Sequence, residues 1–201
     1  MNLPNKLSLT RFFLSILMII LMYTLPNKMI GIFGLKELIL TIIFVIGSIT
    51  DWLDGKIARK NNLITDFGKF IDPLADKVLV LTALTLMVEM HKIPAWIPII
   101  VLIREFAVSG YRLVKASSNG KVIAASKWGK IKTATQMVAI TILMLIPMKF
   151  FGFIKMGKEI QIDFVYILNI IGSIIMMFSV IATIFSGYEY LKDGKEILKD
   201  A

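Results

Sequence analysis

The sequence has no cysteine and a single histidine, His91. Without cysteine there is no disulfide framework, thiolate metal site or thiol nucleophile. Charge is also scarce: 18% of the 201 residues are charged, and 14 acids stand against 23 lysines and arginines. What fills the chain instead is apolar, 57% of residues, with a mean hydropathy of +0.77. That excludes an ordinary water-soluble domain, which could not cover so much apolar surface. It equally excludes disorder, which needs low hydrophobicity. The basic excess suits anionic lipid headgroups and cytoplasmic loops better than nucleic acid.

Apolar runs fall at about 12–25, 35–50, 77–90, 93–111, 134–151 and 162–187. A helix needs ~20 residues to cross the hydrocarbon, so the pattern predicts an all-α integral membrane protein with six transmembrane helices. The stretch 2–10 reads as a short interfacial segment, with Arg11 snorkelling at the edge of the first span. That span ends in Leu25-Pro26-Asn27-Lys28 without a small-residue cleavage site and reads as retained rather than as a signal peptide. Six spans put both termini on one side. The other side receives only Lys28, Lys36, Lys92, Lys149, Lys155 and Lys158, so the termini are expected to be cytoplasmic. The expectation is one multi-pass domain over residues 1–201 in the cell membrane.

Five of the fourteen acids lie between residues 51 and 76. Asp51 and Asp54 are three apart, Asp72 and Asp76 four apart, so each pair shares a helix face. The polar stretch 60–66 permits a hairpin that brings the two faces together at the cytoplasmic boundary. Four carboxylates so placed repel one another and lose solvation unless protons or divalent ions intervene. An oxygen-only donor set favours two Mg²⁺ or Mn²⁺ ions over zinc, with positions left for phosphate oxygens. Gly55 and Gly68 allow close approach beside the acids, Ala58 keeps the cleft open, and Arg59 can face an anionic ligand. Solvated loop acids balanced by neighbouring lysines are the plainer alternative, and helical spacing inside so apolar a chain argues against it. Pro73 leaves two possibilities: a kinked helix running through it, which is favoured, or Asp72 capping a helix that begins there.

The segment resembles the signature of the CDP-alcohol phosphatidyltransferase family, D-x2-D-G-x2-A-R-x8-G-x3-D-x3-D. Asp51, Asp54, Gly55, Ala58, Arg59, Gly68, Asp72 and Asp76 match each fixed position and spacing. The resemblance implies six membrane helices, with two divalent ions held by the carboxylates against the diphosphate of CDP-diacylglycerol. It further implies that Asp51, Asp54 and Asp72 are ligands and that Asp76 is both ligand and general base. Gly55, Ala58, Arg59 and Gly68, together with Asp54, would line the nucleotide and diphosphate pocket. An acceptor alcohol would displace CMP.

A second, basic region at 104–133 bears on the acceptor. Arg104 and Arg112 are about two helical turns apart, and Lys130 and Lys132 stand at the mouth of the fifth span. Cations converging beside a metal site suggest an anionic acceptor. Three segments, N-L-P-N-K-L-S-L-T-R at 2–11, R-E-F-A-V-S-G-Y-R at 104–112 and A-A-S-K-W-G-K-I-K-T at 124–133, resemble bacterial family members that use sn-glycerol 3-phosphate. On that resemblance Arg112, Lys130 and Lys132 would contact the phosphate, with Arg104 and Ser126 behind them, and Asn5 and Thr10 would help close the nucleotide pocket. Inositol phosphate is the nearest alternative acceptor, and a divalent-ion transporter using the same acids is an alternative of another class. His91 reads as a residue of an external turn, Trp52, Trp96 and Trp128 as interfacial belt residues, and Gly172-Ser173 as a site of close helix contact, in line with the homodimer that the resemblance suggests.

Overall fold

The computed structural model describes residues 3–61, 66–119, 127–152 and 163–193; of 3–5, 51–61, 66–73, 113–119, 191 and 193 it describes the backbone alone. Six α-helices account for nearly all of it: α1 (Leu3–Thr24), α2 (Leu35–Asn61), α3 (Asp66–Glu89), α4 (Trp96–Asn119), α5 (Lys127–Leu145) and α6 (Phe164–Asp193). A two-stranded antiparallel hairpin, β1 (Met29–Ile30) and β2 (Phe33–Gly34), sits between α1 and α2 and turns through Gly31 at φ 61°. The positive φ suits a residue without Cβ.

Each helix reaches past its apolar run, and the overhang is polar and always at the same alternating end. It lies at the start of α1, α3 and α5 and at the finish of α2, α4 and α6. At 27 residues, α2 is about 40 Å long, more than the ~30 Å of a hydrocarbon core. By length and apolarity alone only Lys6–Thr24 and Phe164–Tyr190 qualify as membrane spans among the described residues. Large apolar side chains nevertheless cover the outside, Phe13, Ile103, Phe106 and Ile184 among them. An apolar exterior of this kind is what lipid contact requires.

The structure departs from the sequence reading at the N-terminus. Among the described residues the stretch before the first span is not a separate element but the start of α1, which is continuous from Leu3; nothing in the sequence after Pro4, which falls in the tolerant first turn, interrupts it. Nor does Arg11 snorkel. It is fully buried, with Nη2 donating to Ser8 Oγ at 3.2 Å. The reason is that α1 packs against both α2 and α3, and Ser8, Arg11, Ser15, Met18 and Met22 form the face those helices cover. α3 runs without a break through Pro73, so Asp72 does not cap a helix that begins there.

α5 and α6 form the most intimate pair. A Cβ at Gly172 would come within 2.8 Å of Ile142 and 2.9 Å of Leu143, so this glycine serves contact inside the chain rather than between copies. Ser173, also fully buried, accepts the Phe151 N–H at 3.1 Å. At that same end α3 closes in a turn with His91 at φ 56°, and the buried Lys92 ammonium donates to the Met144 and Ile146 carbonyls, both at 2.6 Å. Phe150 N–H in turn donates to the Lys92 carbonyl at 2.6 Å. The α3–α4 turn is thereby tied to the finish of α5. This bracing leaves the opposite end, where the polar overhangs gather, as the place for chemistry.

Candidate active site

The acidic signature lies on two successive helices. Asp51, Asp54, Gly55, Ala58 and Arg59 stand on the last three turns of α2, and Gly68, Asp72 and Asp76 on the first three of α3. Helical backbone at all these positions puts Asp51 with Asp54, and Asp72 with Asp76, on common faces. Whether the faces meet is a matter of the side chains of Asp51, Asp54 and Asp72, which lie outside the described residues, as do those of Gly55, Ala58, Arg59 and Gly68. The donor chemistry of the four acids, oxygen only and paired one helical turn apart, fits hard divalent ions. Asp76 is the described member of the set. It lines a cavity of about 80 Å³ enclosed by α3, α4 and α5, together with Lys77, Arg104, Glu105, Lys132 and Gln136.

Glu105 is the hub of this cavity. Its Oε1 accepts from the Lys132 ammonium and from Arg104 Nη1, the latter at 2.9 Å, and its Oε2 lies 3.7 Å from Lys77 Nζ. Lys77 also donates to Ser109 Oγ, whose hydroxyl is held by the Glu105 carbonyl at 2.6 Å. Arg104 reaches α6 as well, through Ser186 Oγ. Three cations thus surround one carboxylate beside Asp76, and the five charged groups sum to a net positive pocket. Such a site is built to receive an anion. One turn deeper the walls turn apolar, with Val80 of α3 and Val101 of α4, and Gln136 of α5 is the polar group among them.

The other basic residues are placed differently. Arg112 donates through Nη2 to Tyr190 Oη at 2.6 Å and stacks over that ring at 5.3 Å; Arg104 lies 5.9 Å from the same ring. Arg112 does not line the cavity. Lys130 is exposed one half-turn before Lys132, so the helix points the two apart. Thr10 is exposed, its hydroxyl donating to the Lys6 carbonyl at 2.9 Å, and Asn5 lies on the first turn of α1 with its side chain outside the described residues. Ser126 also lies outside them. Lys77, Glu105, Gln136 and Tyr190 are not among the site residues expected from the sequence. Glu105 alone carried a signal: it is the one acid between Glu89 and Glu159, set in an apolar helix. His91 is exposed in the turn at the braced end, away from the cavity, and Trp96 packs edge-on to Phe150 beside it.

Between α2 and α5 a second, apolar cavity of about 530 Å³ opens outward, and it shares Thr133 and Met137 with the polar one. Fold and site together define an all-helical membrane protein that offers a charged pocket and an apolar groove side by side. The chain belongs to the CDP-alcohol phosphatidyltransferase family, whose model matches residues 1–185. It is 40% identical to the CDP-diacylglycerol–glycerol-3-phosphate 3-phosphatidyltransferase of Bacillus subtilis, over 98% of this chain and 97% of that one. It is 37% identical to the protein of the same name from Rickettsia felis, over 97% and 96% of the two chains. A third, from Haemophilus influenzae, is 42% identical over 69% of this chain and 73% of its own.

Proposed function

We propose that this protein transfers the phosphatidyl group of CDP-diacylglycerol to the 1-hydroxyl of sn-glycerol 3-phosphate, giving phosphatidylglycerol phosphate and CMP. The carrying observation is the gathering of Lys77, Arg104 and Lys132 in one cavity with Asp76. It occurs in a chain similar over nearly all its length to enzymes named for these two substrates.

Asp51, Asp54, Asp72 and Asp76 would hold two divalent cations, Mg²⁺ or Mn²⁺, which when bound supply charge neutralisation at the diphosphate oxygens. Asp54, Gly55, Ala58, Arg59 and Gly68 would form the floor for the nucleotide and diphosphate, with Asn5 and Thr10 at its edge. Asp76 takes the proton of the acceptor hydroxyl, which is too weak an acid to ionise alone near neutral pH. The freed oxygen bonds to the phosphorus of the phosphatidyl group while the bond from that phosphorus to the CMP oxygen breaks, and CMP leaves with the electron pair. Lys132 and Arg104 hold the acceptor phosphate, and Arg112, Lys130 and Ser126 would assist in binding it. The apolar groove between α2 and α5 gives the lipid's acyl chains a place next to the reacting phosphorus.

In this reading the chain crosses the cell membrane six times as a homodimer, with its termini and polar helix ends in the cytoplasm. The test is CMP release by purified protein with Mg²⁺ or Mn²⁺, CDP-diacylglycerol and a panel of alcohols. Release with glycerol 3-phosphate is expected. Release with inositol phosphate instead would move the acceptor, and ion flux in liposomes without CMP release would replace the enzyme by a transporter.

A further inference from the structure

Gln136 is 2% exposed and lines the polar cavity, and its Nε2 is buried without a hydrogen-bond partner among the described residues. A buried amide N–H donor left unpaired is costly, and core positions of this size are normally filled by Leu or Met. Lys132 and Gln136 are four residues apart on α5, so they project on one face, the amide one turn deeper than the ammonium. The deeper layer holds Val80 of α3 and Val101 of α4, which offer that amide nothing. What would complete its hydrogen bonding is a molecule in the cavity.

The chemistry around the cavity limits that molecule. Lys132, Arg104 and Lys77 call for an anion, and Asp76 for a hydroxyl. A neutral amide carries both a donor and an acceptor, which complements a second, unreacting hydroxyl, itself donor and acceptor. An anionic oxygen, which only accepts, would use just one half of it. Either orientation of the amide serves, since a hydroxyl can meet Nε2 or Oε1. Resting on the function proposed above, we infer that Gln136 binds the 2-hydroxyl of glycerol 3-phosphate and thereby selects a polyol phosphate over a simple hydroxyalkyl phosphate.

The test compares sn-glycerol 3-phosphate with 3-hydroxypropyl phosphate, which keeps the phosphate and the attacking hydroxyl and lacks the middle one. CMP release is followed in the unaltered protein and in Gln136→Met and Gln136→Leu. The unaltered protein is expected to favour glycerol 3-phosphate in kcat/KM by about tenfold or more, and both variants to bring that ratio close to one, with the KM for CDP-diacylglycerol showing that the fold is kept. An unaltered protein that uses the two phosphates equally would overturn the assignment without any variant. A ratio retained in the variants would overturn the role of Gln136 while leaving the function standing. No CMP release from either acceptor would overturn the function and the assignment together.

Discussion

The Lys132 ammonium, near the start of α5, donates to the Glu105 carboxylate in the middle of α4, and both side chains are almost wholly buried. Neither residue could be so placed alone, because an unpaired charge in such surroundings costs several kcal/mol. Arg104 and Lys77 crowd the same carboxylate. Glu105 therefore holds together a group of cations that would otherwise repel one another, and leaves their remaining N–H donors for a ligand.

Glu105→Gln should accordingly cost about 3–5 kcal/mol of stability, the range for breaking a buried pair from one side. The check is the thermal midpoint in detergent. In a double-mutant cycle with Lys132→Met the two losses should fail to add by about 1 kcal/mol or more. Simple additivity would mean that the pair is not coupled.

Asp76→Asn should lower kcat by about 10²–10⁴, the usual span for a lost general base, while CDP-diacylglycerol still binds. Chelation should abolish turnover in the unaltered protein, and added Mg²⁺ or Mn²⁺ should restore it. Activity that survives chelation would remove the divalent ions from the mechanism.

Arg112 is held by Tyr190 both at the hydroxyl and over the ring. Tyr190→Phe removes a bond to a charged group worth ~1.5–3 kcal/mol and keeps the stacking. The KM for glycerol 3-phosphate should rise in Tyr190→Phe and rise further in Arg112→Ala, with the KM for CDP-diacylglycerol little changed. Equal rises for both substrates would place Arg112 in the scaffold.

Lys92 lies in the α3–α4 turn, and burial pushes its ammonium down to about 8, with Glu37 pulling the other way. The unfolded chain binds that proton up to about 10.5, so between these two values it holds more protons than the fold does. Stability should therefore rise as pH goes from about 8 toward 10.5. The neutral amine still has two N–H donors for the two carbonyls it caps. Lys92→Met should abolish this rise relative to the unaltered protein and should lower the thermal midpoint at every pH, by leaving the Met144 and Ile146 carbonyls unpaired.

Much of the fold is legible in the sequence because hydrocarbon permits few solutions. Apolar runs of this length must be helices, since each backbone amide has to be satisfied within its own segment. Helix ends are another matter. The run 35–50 shows where α2 is apolar, whereas α2 continues to Asn61; the turns beyond are polar and satisfy themselves equally well in water. Arg11 was misplaced for a related reason: apolarity along a single run cannot say which face a neighbouring helix will cover.

The sequence alone determined the class, through composition, and the acidic signature, through residue type and spacing along single helices. Both are local properties of the chain, fixed by the bilayer and by the period of the α-helix. Only the tertiary structure decided that Lys77, Arg104, Glu105, Lys132 and Gln136, drawn from three helices, share one cavity with Asp76. Their meeting depends on how α3, α4 and α5 rotate and pack against one another, and no spacing along the chain encodes such angles.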